Sequence, residues 1–159
     1  MSLLLRLLPL LAVFVAPPAA AQPRPGGADS LLLTAAQLAN RLTRGNVVLV
    51  HVGEPADYKA GHIPGARFLP YDAISQRRDG LMLEMPPVAV LDSVEVDDAA
   101  RASPDKRVIS YCHIGQQATV VYFAAKLLGR DARLYDGSWD EWSRRSGLPI
   151  ETGMGNRHE

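Results

Sequence analysis

The stretch RVISYCHIGQQA, residues 107–118, decides the fold of this chain. Residues 107–111 are rich in β-branched and aromatic side chains, which predicts a short strand. Cys112 follows at once, Gly115 opens a turn, and apolar side chains then recur at helical spacing over residues 116–128. A strand that leads through a short loop into a helix is the unit of a parallel sheet. The stretch therefore predicts an α/β fold with Cys112 at the carboxyl end of a strand.

The rest of the chain repeats this alternation of strands and helices. Short apolar runs predict strands, and apolar side chains three and four residues apart predict helices. Strands are predicted at residues 47–50, 68–69 and 132–135, and helices over residues 31–42, with Thr34 as N-cap, and around Trp139 and Trp142. The sequence therefore predicts one α/β domain of three layers, a parallel β-sheet with helices on both faces.

Residues 71–105 carry a weaker pattern. A helical turn is expected at residues 71–76, and Asp79-Gly80 and Pro86-Pro87 mark breaks. A moderately amphipathic run over residues 88–102 predicts one further helix.

Charge and composition exclude several classes of function. The chain has 159 residues, with 17 basic and 17 acidic side chains and a formal net charge of zero. This length suits a single domain, and without a basic field no nucleic-acid partner is expected. None of the four histidines forms, with neighbouring cysteines or carboxylates, a spacing typical of metal ligands. No metal and no cofactor are therefore predicted.

The first 21 residues have the pattern of a secretory signal peptide. Arg6 supplies a positive charge, residues 3–16 are almost entirely apolar, and Ala19-Ala20-Ala21 fits the site that signal peptidase cleaves. Cleavage after Ala21 predicts a periplasmic or secreted protein without stable membrane contact. The alternative is an uncleaved anchor, although the apolar run is short for a span of ~20 residues. The predicted organisation is a signal peptide at 1–21, a flexible lead-in at 22–30, a folded domain at 31–150 and a flexible tail at 151–159.

Cys112 is the only cysteine of the chain, so no internal disulfide can form. A lone thiol in an exported protein is either buried and inert or kept for its reactivity. At the amino-terminal end of a helix, free backbone N–H groups and the helix dipole stabilise a thiolate, which is the nucleophilic form of cysteine. The position of Cys112 favours the reactive interpretation, and a buried structural thiol is the alternative.

Three segments resemble signatures of the rhodanese family of sulfurtransferases. Residues 111–118, YCHIGQQA, resemble the active-site loop of that family, in which Cys-x-x-Gly-x-x precedes a small residue. Residues 61–66, GHIPGA, look like its first signature, and residues 135–142, YDGSWDEW, are similar to its C-terminal signature. The three segments occur in the order found in the family and, with their spacing, cover most of residues 31–150.

This resemblance implies a reaction in two steps on Cys112. A small sulfur-containing anion such as thiosulfate gives its outer sulfur to the cysteine, and a thiol or cyanide acceptor removes that sulfur from the resulting persulfide. The five backbone amides from His113 to Gln117 are expected to surround the sulfur and to stabilise its charge. The substrate-binding residues implied for the loop are His113, Ile114, Gly115, Gln116 and Gln117.

Loop length separates this pattern from that of the related cell-cycle phosphatases. In their loop, five residues follow the cysteine and precede an arginine that binds phosphate through two hydrogen bonds. The sixth residue after Cys112 is Ala118, so a phosphate ester would lack its main ligand. The sequence therefore argues against this phosphatase activity.

The sequence departs from the rhodanese pattern directly after its first predicted strand. Many relatives have Asp-x-Arg there, where this chain has His51-Val52-Gly53. That arginine often positions the anionic donor or braces the loop, so substrate choice is open, and Arg67 is a candidate to take its place.

A non-catalytic binding or sulfur-relay module that docks a partner protein is the alternative to an enzyme. A third candidate, a thiol redox protein, would need an external thiol because a lone cysteine cannot run a Cys-x-x-Cys cycle.

Overall fold

The computed structural model describes residues 31–79, 81–84 and 106–154. In these ranges the strands are β1 (Val47–Gly53), β2 (Arg67–Pro70), β3 (Gln76–Arg78), β4 (Leu81–Glu84), β5 (Arg107–Tyr111) and β6 (Ala132–Leu134). The helices are α1 (Ala35–Arg44), α2 (Pro55–Ala60), α3 (Ala118–Leu127) and α4 (Ser138–Arg144), with a 3₁₀ turn at Tyr71–Ala73. None of the helices in these ranges is both long and apolar enough to cross a bilayer.

Four strands form one parallel sheet in the order β2-β1-β5-β6. The predicted parallel sheet is therefore confirmed. In the register of its centre, His51 of β1 lies between Phe68 of β2 and Tyr111 of β5. Because the strands are parallel, their carboxyl ends meet at one edge, where ligands bind in open α/β sheets. Cys112 follows Tyr111 directly at that edge.

Helices cover both faces of this sheet, as predicted. On one face, α3 packs against the β-branched side chains that alternate along β1, and Cys112 belongs to this buried cluster. On the other face, α1, α2 and α4 contribute to a second cluster that contains Tyr111 and Trp142. The strand β1 is buried on both faces from Val48 onward, since a central parallel strand has helices above and below it.

The first helix begins at Ala35, directly after the predicted N-cap, so the apolar pattern over residues 31–42 extends further toward the amino terminus than the helix does. The prediction was a helix over residues 31–42, but Leu33 donates its N–H to Leu134 O at 2.9 Å, which joins this segment to β6 instead. The predicted N-cap, Thr34, is confirmed: its hydroxyl accepts from Gln37 N–H, and the Gln37 side chain accepts from Thr34 N–H in return. The capping box at Thr34 therefore determines where α1 begins. The residues before it pair with β6 instead of extending the helix.

The segment after β2 contains a feature that the sequence did not indicate. The helical turn expected at residues 71–76 is a 3₁₀ turn, and β3 and β4 follow as an antiparallel pair. Asp79, at one predicted break, lies between these strands with φ of 50°, a conformation that Asp tolerates in turns. The break at 86–87 and the helix expected over 88–102 lie outside the described residues, as do the predicted signal peptide and lead-in.

The segment that follows residue 150 is attached to the domain where the structure describes it. Glu151 and His62 form an antiparallel bridge through two backbone hydrogen bonds of 2.9 and 3.0 Å. Gly65 N–H also donates to Glu151 Oε2 at 3.2 Å, and Gly153 N–H donates to Lys59 O. These bonds connect residues 151–153 to the GHIPGA segment.

Candidate active site

The loop after β5 is held in place by the start of α4. Trp139 N–H donates to Cys112 O, and Asp140 N–H donates to His113 O, both at 3.0 Å. Cys112 N–H in turn donates to Ser138 Oγ at 3.2 Å. Two unpaired amides at the beginning of a helix thus find acceptors in the loop, which fixes the backbone on both sides of the cysteine.

Ser138, which accepts the hydrogen bond from Cys112 N–H, has an unusual backbone conformation. Its φ is 52°, in the left-handed region that non-glycine residues rarely adopt, and its side chain is fully buried. The hydroxyl donates to Tyr135 O at 3.0 Å while it accepts from Cys112 N–H. Both hydrogen-bonding roles of the hydroxyl are used, so the serine of the YDGSWDEW segment connects that segment directly to the cysteine.

The sulfur of Cys112 lies at the base of the loop. Its Sγ accepts a hydrogen bond from Gly115 N–H at 3.0 Å. The residue is only 1% exposed and belongs to the same buried cluster as Ala118 and Val121. Of the five amides predicted to surround the sulfur, Gly115 makes this bond; those of residues 113, 114, 116 and 117 have no acceptor within the described part of the chain. The sulfur therefore contacts one amide of the loop, that of Gly115, and is screened from bulk solvent.

Gly115 occupies a position that only glycine fits. Its φ is 93°, and a Cβ there would lie 2.7 Å from Asp136 O and 2.9 Å from Asp136 Oδ1. Real Cβ atoms do not approach a backbone oxygen so closely, and the positive φ adds strain for any other residue. Glycine at this position therefore lets the loop pass close to Asp136 while its N–H donates to the sulfur.

The implied substrate-binding residues lie at different depths around Cys112. His113, Ile114 and Gln116 are exposed, and Ile114 has 60% of its surface accessible. Gln117 is half-buried, and its Oε1 is 3.9 Å from the position that a Cβ on Gly53 would take. Three of the implied side chains are therefore open to solvent, and Gln117 lies near the end of β1.

Arg67 lies further from the carboxyl edge of the sheet. It begins β2 and is paired with Val50, three residues before Gly53 ends β1. At about 3.3 Å per residue, its backbone is roughly 10 Å from that edge. A role for its guanidinium in binding the donor stays a prediction.

His51 is a buried polar residue at the site, noted in the sequence only as a departure from the family. It is 1% exposed, and its Nδ1 is 3.0 Å from the Tyr111 hydroxyl oxygen. Burial lowers the pKa of His51 from 6.5 to about 4, with smaller contributions from the charges of His62 and His113. Burial also raises the pKa of Tyr111 far above its ordinary value. At neutral pH the ring is therefore uncharged and the phenol keeps its proton.

The GHIPGA segment supports the structure of the site. His62 Nδ1 is 2.8 Å from Tyr58 O, and the His62 ring stacks on Tyr58 at a centroid distance of 3.7 Å. Trp139 covers Gly61 so closely that a Cβ there would be 2.5 Å from the indole ring. These contacts give His62 and Trp139 structural roles, His62 in holding the turn and Trp139 in packing against it. Within the described ranges, no three metal-ligating side chains cluster together.

Comparison with known proteins identifies the family. The family model described as the rhodanese-like domain matches residues 34–145. The chain belongs to this family. All three segments that carry the resemblance lie within the match.

Curated relatives of this rhodanese-like chain include named sulfur-handling proteins. The SseB protein of Mycobacterium tuberculosis is 34% identical over 128 residues, which are 80% of this chain and 40% of SseB. A thiosulfate sulfurtransferase of Pseudomonas aeruginosa is 28% identical over 77% of this chain and 46% of its own length. The sulfur carrier protein TtuD of Thermus thermophilus is 30% identical over 71% of this chain and 44% of TtuD. This chain thus spans less than half the length of these relatives.

Solved structures share the rhodanese-like fold with this chain. A thiosulfate sulfurtransferase from Pseudomonas aeruginosa superposes with a TM-score of 0.57 at 21% identity, over 79% of this chain and 20% of the other. YnjE gives a TM-score of 0.63 at 24% identity, over 77% and 31% of the two chains. An uncharacterized protein from Saccharomyces cerevisiae gives 0.54 at 24% identity, over 75% of this chain and 95% of the yeast protein. In the yeast protein, a single domain of this fold therefore makes up almost the whole chain.

Proposed function

We propose that this chain is a sulfurtransferase that carries sulfane sulfur as a persulfide on Cys112. The thiolate attacks the outer sulfur of thiosulfate or a similar donor, the S–S bond of the donor breaks, and sulfite leaves with the electron pair. A thiol or cyanide then attacks the outer sulfur of the persulfide and regenerates the thiolate. Splitting one displacement into two in this way is covalent catalysis.

One observation carries the proposal: the Gly115 N–H group donates to Cys112 Sγ at 3.0 Å. That bond turns the sulfur toward the loop and the amino end of α3, where the helix dipole favours negative charge. The neighbouring amides without acceptors within the described residues supply further donors for an oxyanion. Ala118 stands where a phosphatase would have its arginine, so the arrangement favours sulfur chemistry over phosphate ester hydrolysis.

The burial of Cys112 favours a second candidate. With 1% of its surface exposed, the thiol resembles the buried structural cysteine that the sequence left open. A rhodanese-like module that docks a partner protein, or that receives sulfur from one, would keep the fold without turnover. Access to the sulfur separates this candidate from the enzyme.

Intact-mass spectrometry after incubation with thiosulfate tests the enzyme directly. We expect the protein to gain about 32 Da, one sulfur atom, on Cys112, and to form thiocyanate when cyanide is added. Cys112→Ser is the matched control, because it changes a single atom and should show neither the mass gain nor thiocyanate. A wild-type protein that stays at its original mass with thiosulfate and with alkyl persulfides would contradict the sulfurtransferase and favour the module.

We further propose that the chain is exported and acts in the periplasm or outside the cell. The support is the charged, apolar and Ala-rich succession of residues 1–21. In such an oxidising compartment a lone cysteine cannot form an internal disulfide, which suits a thiol that must stay available for sulfur.

A further inference from the structure

The hydrogen bonds of Tyr111 determine which nitrogen of His51 carries the proton. The Tyr111 hydroxyl accepts from Ile63 N–H at 2.9 Å, and an amide can only donate. The single hydrogen of the phenol must therefore go elsewhere, and His51 Nδ1, at 3.0 Å, is its acceptor among the described residues. An Nδ1 that accepts is unprotonated. Since the ring is neutral, its proton lies on Nε2.

This Nε2–H group is a buried donor without a partner among the described residues. It lies 3.3 Å from the position that a Cβ on Gly53 would take, and Gln117 Oε1 lies 3.9 Å from the same position. A donor and an acceptor therefore face one space, which is open only because residue 53 has no side chain. Buried polar groups are rarely left unpaired, so this donor requires an explanation.

We propose that His51 positions Gln117 for binding of the anionic sulfur donor. When the anion enters the loop of Cys112, His51 Nε2–H donates to Gln117 Oε1 across the space beside Gly53. The Gln117 amide is then oriented with its NH₂ group toward an oxygen of the anion. This inference takes the identity of the anion from the proposed function. His51 is a positioning residue, because it acts through Gln117.

The chemistry of a side-chain amide explains why such a partner is needed. An amide can present either its carbonyl oxygen or its NH₂ group to a ligand, and a carbonyl oxygen would repel an oxyanion. Donation from His51 to Oε1 favours the orientation in which NH₂ faces the anion. Because the imidazole is neutral, it can impose this orientation without placing a second charge in the core.

Thiosulfate binding to a Cys112→Ser protein measures this coupling without chemistry. In that background we expect His51→Phe and Gln117→Met each to raise the Kd of thiosulfate about tenfold, the usual effect of one neutral hydrogen bond. The double variant should bind no more weakly than either single variant, because both substitutions remove the same interaction. Isothermal titration calorimetry gives all four constants.

Two outcomes of this cycle would overturn the inference. If the two losses multiply to about a hundredfold in the double variant, His51 acts independently of Gln117. If thiosulfate binds equally well to all four proteins, or to none of them, the pair does not serve anion binding. Gly53→Ala is a second test that keeps both side chains: its Cβ would occupy the space between Nε2 and Oε1, so it should weaken binding as much as His51→Phe does.

Nitrogen NMR of the imidazole tests the proton position separately. We expect an unprotonated Nδ1 and a protonated Nε2 in the free protein, and a shift of the Nε2–H resonance when thiosulfate is added to the Cys112→Ser protein. A proton on Nδ1 would contradict the inference. Failure of the proposed function would be seen in a different experiment, the mass spectrometry, in which the wild-type protein would gain no sulfur. It can therefore be distinguished from failure of the inference about His51.

Discussion

Lowering the pH from 6.5 to about 5 should destabilise the folded protein through its buried His51 ring. Burial lowers the pKa of His51 from 6.5 to about 4. In the unfolded chain the ring takes up a proton as the pH falls through 6.5, whereas in the folded protein it stays neutral until about pH 4. Proton uptake therefore favours unfolding. The stability that the neutral ring contributes is complete above pH 6.5 and is lost as the pH falls toward 4.

The magnitude follows from this difference in pKa. The full slope of about 1.4 kcal/mol per pH unit is reached only below pH 6.5, where the unfolded ring is already half protonated. The free energy of unfolding should therefore fall by roughly 1.5 kcal/mol between pH 6.5 and pH 5. Two carboxylates affect the stability only at lower pH. A hydrogen bond from Arg107 lowers the pKa of Asp131, and one from Arg145 lowers the pKa of Glu141. Their stabilisation is lost only below their ordinary values of 3.8 and 4.5. The chain has three other histidines, so the part of the loss that belongs to His51 is found by comparison with a variant that lacks its ring.

Urea unfolding followed by tryptophan fluorescence measures this loss. Wild type and His51→Gln are each compared with themselves at pH 6.5 and pH 5, so any packing defect of the variant cancels. We expect the wild type to lose roughly 1.5 kcal/mol and the variant, which has no ring at residue 51 to protonate, to lose much less. Equal losses in the two proteins would show that His51 protonates as readily in the folded state as in the unfolded chain, and would refute the reasoning.

Two further predictions follow from the loop and from the start of the chain. Gly115→Ala should abolish sulfur uptake on Cys112, because its Cβ would lie 2.7 Å from Asp136 O; Gly129→Ala, at φ of 74° with nothing within 4 Å, should cost about 1 kcal/mol of stability and leave uptake intact. A Gly115→Ala protein that gains sulfur at the wild-type rate would show that the loop amide is dispensable. Expression of the full chain in a bacterium should yield a periplasmic protein whose amino terminus is Gln22, as read by N-terminal sequencing; a protein that keeps residues 1–21 would contradict cleavage.

Much of the fold could be predicted from local sequence alone. The β-branched residues at 47–50 and 107–111 indicated strands, and Thr34 with Gln37 marked the start of a helix through a capping box. Gly115 between a strand and a helix placed Cys112 at the carboxyl edge of a parallel sheet. These features depend on neighbours within a few residues, so the amino-acid order contains them.

Other features depended on residues far apart in the chain. The antiparallel pair β3 and β4 escaped prediction because their short segments have no strong alternation, so pairing with each other, not propensity, makes them strands. Ser138 accepts from Cys112 N–H across 26 residues. The YDGSWDEW segment marked that serine as part of a signature, but the sequence did not predict its hydrogen bond to Cys112.

The sequence by itself determined the layered α/β class, the family resemblance and the position of Cys112 before the amino-terminal end of a helix, since each is encoded in short-range patterns. Only the tertiary structure decided how deeply the sulfur is buried and which nitrogen of His51 carries the proton. The reason is physical: burial and hydrogen-bond partnership arise where β1 meets β5 in register, so that His51 and Tyr111, 60 residues apart, lie 3.0 Å from each other. No local pattern contains that distance.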